Sequence, residues 1–146
     1  MKNLNQFNYP ATLTKQKEGG YLVRFPNFPE AITQGDTLEE ALDEAIDCLE
    51  EVIANRIEMK LDLPVPCQLK KNQYNIPLHT TFAAKIALYL AMRELKITNI
   101  ALAKKLNCDE KEVRRLVDPH YNSKLPHIEQ ALFMLGKRLQ VKIVSI

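Results

Sequence analysis

The chain has 146 residues, 46% hydrophobic and 26% charged, a composition that suits one ordinary globular domain or two small ones. No apolar run approaches the roughly 20 residues needed to span a bilayer, and the opening MKNLNQFNYP has no apolar stretch for a secretory leader, so membrane and secreted classes are set aside and a cytoplasmic location is expected. The net charge of +2 hides an asymmetry: residues 1–78 hold 8 Lys+Arg against 12 Asp+Glu, whereas residues 79–146 hold 12 against 6, which suggests two halves with different partners.

Phe7, Tyr9, Ala11 and Leu13 alternate with Asn8, Pro10, Thr12 and Thr14, and this period of two predicts a strand buried on one face. Pro10 has no N–H to give a neighbour, which predicts an edge position or a bulge there. Glu18-Gly19-Gly20 makes a turn, after which Tyr21, Val23 and Phe25 alternate with Leu22 and Arg24, so the first two strands read as a hairpin. Beyond the segment Pro26–Pro29, a shorter third strand is expected at Ala31–Gln34. Gly35-Asp36 ends it. Thr37 can cap a helix, and Glu40 three residues on completes a capping box.

Leu38, Leu42, Ala45, Leu49, Ile53 and Ile57 then recur at helical spacing and mark an apolar face. The other face carries Glu39, Glu40, Asp43, Glu44, Asp47, Glu50 and Glu51. Two readings stay open for it: the solvated side of an amphipathic helix, or a docking face for a basic partner. LDLPVPCQLKKNQ is too rich in proline and polar residues for a long element, and Tyr74, Ile76 and Leu78 return the chain to the sheet. The order is β-β-β-α-β.

GYLVRFPNFPEAITQGDTLEEAL, from Gly20 to Leu42, resembles the signature of HicB-type antitoxins: a hairpin strand, Phe-Pro-x-x-Pro, a short strand, a Gly-Asp-Thr cap and an acidic helix. The resemblance implies a partial RNase H-like domain over residues 1–78 that covers a small mRNA-cleaving toxin of the HicA type. It does not say which residues touch that toxin. The chain departs from the family pattern at Asn27, Glu30 and Ala31. An RNase H-like nuclease would need carboxylates converging on Mg²⁺. The first strand has none, Glu18, Glu30 and Asp36 are expected in turns or loops, and the helix carboxylates mostly point outward. No catalytic residue, metal site or cofactor is therefore expected.

In residues 79–146, TTFAAKIALYLAMRELK predicts a helix over 80–96 with Phe82, Ile86, Leu90 and Leu95 on its apolar face. TNIALAKKLNCDEKEVRRLVD carries the functional signal. Thr98 can cap a helix ending at Leu106, and Ala103 supplies the small side chain that two helices crossing at about 90–120° require. Asn107 tolerates a left-handed turn, and Asp109 with Glu112 makes a second capping box. Ile100, Leu106, Val113 and Leu116 are expected to face inward. This spacing resembles the helix-turn-helix of Cro-like repressors and of long-form HicB proteins, with Asn107 where a glycine is common.

The second helix would read DNA with Lys111, Arg114 and Arg115, since arginine can bond guanine bidentately while lysine often takes phosphate. Thr98, Asn99 and Lys124 are expected on the phosphate backbone, where the loop residues His120, Tyr121 and Asn122 could also reach. His79, His120 and His127 are not at metal or catalytic spacing, and Cys48, Cys67 and Cys108 form no C-x-x-C pair. Pro126 suits the first turn of a last helix striped by Ile128, Leu132, Leu135 and Leu139. The β-prone tail VKIVSI is expected to form a short strand, whose edge would be protected by pairing with a second copy.

Together these features predict an α+β protein: a partial RNase H-like domain over 1–78, then an all-α, Cro/C1-repressor-like helix-turn-helix domain over 79–146. The partners implied are a HicA-type toxin, an inverted-repeat operator in double-stranded DNA, and at least one further copy of the chain. The alternative is a stand-alone transcription regulator whose first domain senses some other ligand or partner.

Overall fold

The structure is a computed structural model that describes residues 7–146; the residues MKNLNQ of the leader reading lie outside the described part. Four strands come first: β1 (Tyr9–Lys15), β2 (Tyr21–Phe25), β3 (Phe28–Gly35) and, after helix α1 (Leu38–Glu58), β4 (Gln73–Ile76). They form one antiparallel sheet in the order β3-β2-β1-β4. Four helices follow: α2 (Thr80–Leu95), α3 (Asn99–Leu106), α4 (Glu110–Val117) and α5 (Leu125–Met134). The chain is thus mixed α+β. Packing divides it into two compact units, the first ending at His79 and the second beginning at Thr80.

The β1–β2 hairpin turns through Gly19 and Gly20, both at positive φ, and closes with the Gln16 N–H donating to the Gly20 carbonyl at 2.9 Å. The next turn is tighter than the proline pattern suggests. Only Pro26 and Asn27 separate β2 from β3, Phe25 pairs with Phe28, and a register shift falls at Arg24/Phe25. β3 therefore takes in Pro29 and Glu30, so Glu30 stands on a strand and not in a loop. Pro10 departs from expectation as well, because β1 lies between β2 and β4 and is no edge. The ladder to β2 begins only at Thr12, however, so at Pro10 the strand has a ladder neighbour on the β4 side alone.

α1 covers the sheet, packing chiefly on β3 and then on β2. Its buried line runs through Ala41, Ala45, Leu49, Ile53 and Ile57, with Ala54 beside it, while Leu38 lies 36% exposed at the rim. The alanines explain this close approach. So does Gly35, where an added Cβ would stand 2.6 Å from the Ala41 Cα. The cap forms with one change of partner: Thr37 Oγ1 accepts from the Glu40 N–H at 3.1 Å, and Glu40 Oε2 accepts from the Asp36 N–H, one residue before the cap. Residues 59–72 have no regular structure yet are tied down. The Tyr9 hydroxyl donates to the Pro64 carbonyl at 2.8 Å, and Asn27 donates to the Val65 carbonyl while accepting from the Cys67 N–H. Burial pushes the Tyr9 hydroxyl up to about 12, which keeps it a donor, against the opposing pull of Arg56.

In the second unit α2, α3, α4 and α5 enclose a core of Ala84, Leu88, Ala91, Met92, Leu102, Ala103, Val113, Leu116, Ile128, Ala131, Leu132 and Leu135. Two expectations shift by part of a turn. Leu95 is 43% exposed and Ile100 58% exposed; Met92 and Leu102 take the inward places. VKIVSI forms no strand, and its Ile143 is 94% exposed. Within one copy this all-helical unit offers the tail no edge, so a pairing edge would have to come from a second copy. Among the described residues, no helix is long and apolar enough to cross a membrane.

Candidate nucleic-acid interface

Thr98 opens α3 by accepting the Ala101 N–H on Oγ1 at 3.1 Å. The helix ends where Asn107 adopts φ 53°, ψ 47°, the left-handed conformation that asparagine enters more readily than most residues. The Asn107 N–H donates to the Lys104 carbonyl at 3.2 Å and the Cys108 N–H to the Ala103 carbonyl at 3.0 Å, so the freed carbonyls of the last turn are satisfied. Asn107, Cys108 and Asp109 are the whole link to α4. The second capping box does not form: the Asp109 side chain makes no cap, and the Glu112 N–H bonds the Asp109 backbone carbonyl at 3.0 Å.

Val113 and Leu116 bury α4 against its neighbours, with Ala103 only 5% exposed on α3. The inward pair leaves Lys111, Arg114 and Arg115, at i, i+3 and i+4, together on the exposed face. Arg114 Nε lies 3.6 Å from Glu110 Oε1, an exposed pair too weak to hold it. The Arg115 guanidinium lies over the Tyr121 ring, 5.3 Å from its centroid, which restricts that side chain more. Of the other residues expected at DNA, Lys124 is exposed just before α5, Asn99 is half-buried as the first residue of α3, and the Thr98 hydroxyl serves as a cap.

Lys85, on α2, was not legible as special in the run AAKIAL. It is 2% exposed, and its Nζ donates to the carbonyls of Arg115 at 2.9 Å and Asp118 at 2.8 Å. Burial lowers its pKa to about 8, against the opposing attraction of Asp118.

In the first unit the acidic side of α1 is exposed at Glu39, Glu40, Asp43, Glu44, Asp47 and Glu51. Chain spacing hid one convergence there. Asp47, Glu50 and His79 each bring a donor atom within 4.8 Å of the others, an arrangement of the kind that can hold a metal ion. Glu50 is already engaged, accepting the His79 N–H at 2.8 Å and facing His79 Nδ1 at 3.0 Å, which raises the histidine pKa. Glu30, a departure from the HicB pattern, holds Arg56 through two bonds of 2.9 and 3.0 Å, and Arg56 in turn lies over Phe28.

Residues 8–87 match the family model described as the HicB_like antitoxin of bacterial toxin-antitoxin system. That match defines the class. Antitoxin HicB of Escherichia coli (strain K12) is 35% identical over 136 residues, which cover 93% of this chain and 99% of that one. Antitoxin HicB 1 of Photorhabdus laumondii is 34% identical over 140 residues, 96% of this chain and 89% of that one. A chain of a solved toxin-antitoxin complex from Streptococcus pneumoniae is 32% identical with a TM-score of 0.40, covering 42% of this chain and 45% of that one. The chain belongs to the HicB-like antitoxin family of bacterial toxin–antitoxin systems.

Proposed function

We propose that the chain neutralises a HicA-type mRNA-cleaving toxin through its first unit and represses its own operon through its second. The observation that carries the DNA half is the pair α3–α4, bent at Asn107, with Lys111, Arg114 and Arg115 exposed on one side of α4. This supports reading it as a helix-turn-helix of the Cro type, whose second helix enters the major groove. Base recognition falls to Arg114 and Arg115, and Lys111 and Lys124 lie on phosphate, with Asn99 near the backbone. Glu110 and Glu112 on the same helix discourage indiscriminate binding to a polyanion.

The toxin half rests on family membership and on the charge of α1. In this reading the sheet and α1 are a partial RNase H-like domain without catalysis, and the exposed carboxylates attract a basic toxin and speed its capture. A palindromic operator requires two copies of the reading helix. The tail Val141–Ile146 supplies a way to join them: paired antiparallel with the tail of a second copy, it would satisfy its backbone on that edge.

Co-expression with the product of the adjacent gene, followed by a shift assay on the shared promoter, tests both halves. The expected result is a small basic protein retained through purification and a complex on the inverted repeat but not on a scrambled duplex. A chain that binds the promoter yet retains no neighbour would instead be a stand-alone regulator. One that retains the neighbour and ignores the promoter would be an antitoxin without repression.

A further inference from the structure

Lys85 is a cation where the core should be apolar. Its side chain leaves α2 beside Ala84 and Ile86 and ends under the last turn of α4 and the loop that follows. Taking an ammonium out of water costs several kcal/mol, and a buried ion is seldom the most stable filling for its space. Stability is therefore a poor reason for it to be there. Its bonds suggest another. The Arg115 and Asp118 carbonyls belong to the C-terminal end of α4, the negative end of the helix, where a cation is favoured. Ser123 Oγ donates to the same Arg115 carbonyl at 3.3 Å, and the Tyr121 ring lies near both cations, 5.7 Å from Lys85 Nζ and 5.3 Å from the Arg115 guanidinium.

We infer that Lys85 is a positioning residue for DNA recognition: it clamps the end of α4 and the loop Asp118–Ser123 so that Arg114 and Arg115 meet bases in register. The inference rests on the DNA-binding reading above and names a residue that acts through α4 without touching DNA. Hydrophobic packing of Val113 and Leu116 sets the depth of α4 but resists rotation or sliding poorly, because apolar contacts are non-directional. Two bonds from one buried donor to the backbone fix both. A bidentate arginine contact tolerates little misplacement, whereas attraction to phosphate tolerates much. Loss of the clamp therefore reduces specific binding and spares non-specific binding.

The test is Lys85→Met in the full chain, which keeps the unbranched stem and removes the ammonium. Fluorescence anisotropy is followed on the promoter duplex and on a non-operator duplex of equal length, over a range of salt. The expected result is operator affinity lower by about tenfold or more, the scale of one lost bidentate contact. Affinity for the non-operator duplex stays within about threefold, and the salt slope is unchanged because Lys85 reaches no phosphate. Operator binding within threefold of the parent would overturn the inference, as would a salt slope reduced by about one. If Lys85→Met does not fold, Lys85→Gln is read by the same criteria; failure of both to fold would make Lys85 a folding determinant and overturn the inference too. If the parent protein itself shows no preference for the promoter, the DNA reading has failed, and amide exchange judges the clamp separately. Faster exchange over residues 117–123 in the variant supports it, and identical exchange overturns it.

Discussion

Arg114 and Arg115 are adjacent on α4 but are held in different ways, a difference that would matter for the proposed DNA recognition. Among the described residues Arg114 has only the long contact to Glu110, so in the proposed complex it would give up most of its freedom on meeting DNA. Arg115 already lies over Tyr121. Replacing either by Ala is expected to weaken operator binding by about 1–3 kcal/mol if it bonds a base bidentately; Tyr121→Ala should reproduce part of the Arg115 loss and none of the Arg114 loss. Binding constants for the three variants check this. The exposed face that these arginines share with Lys111 was legible in the sequence, because spacing of three and four residues beside Val113 and Leu116 sets these cations together. Lys85 was not, since nothing in the run AAKIAL distinguishes a buried lysine from one at the surface.

His79 gives a second expectation at this scale. Glu50 raises its pKa above the ordinary 6.5, so the folded chain holds the proton more tightly than the unfolded one. The stabilisation is complete below pH 6.5 and disappears as pH rises through the elevated folded value. The difference in stability between the parent and His79→Gln, measured by urea unfolding, should therefore be largest in mild acid and fade towards alkaline pH. A difference independent of pH would show that the ring contributes only through packing.

At the scale of elements, the pattern β-β-β-α-β and the helix pair after Thr98 followed from periodicity and capping residues. What failed has a common cause: sequence patterns place apolar residues on faces but cannot show which face finds a partner. Leu38, Leu95 and Ile100 fit their helical stripes and still stand at the rim, while Ala41 and Ala54 are buried because close approach demands small side chains. β1 accommodates Pro10 only because β2 pairs with it no earlier than Thr12. The turn between α3 and α4 is where local chemistry decides most. Asn107→Val would put a β-branched residue at φ 53° and should cost about 1–2 kcal/mol or more, whereas Asn107→Gly should be near neutral. Thermal melts of the two variants distinguish them, and equal melting would mean that the turn can relax.

For the whole molecule, the division of charge seen in the sequence is also a division by fold. The sheet and α1 carry the acidic excess, and the four-helix unit carries the basic one. On the proposed function, the acidic unit would meet a basic toxin and the basic unit a polyanionic duplex. If the tail joins two copies as proposed, removing residues 141–146 should lower the apparent mass in light scattering and weaken binding to a full inverted repeat far more than to a single half-site. Retention of the toxin should be unaffected. If the truncated chain keeps both its mass and its operator affinity, the copies join elsewhere.

The most direct measurement is a salt titration of binding to the shared promoter, with the parent chain and Lys111→Ala/Arg114→Ala/Arg115→Ala compared on the promoter and on a scrambled duplex. The account predicts that the parent prefers the promoter by at least about 10³, that its affinity falls steeply with salt, and that the triple variant loses the preference and flattens the slope. Equal affinity of the parent for both duplexes, or a triple variant that still selects the promoter, would contradict it.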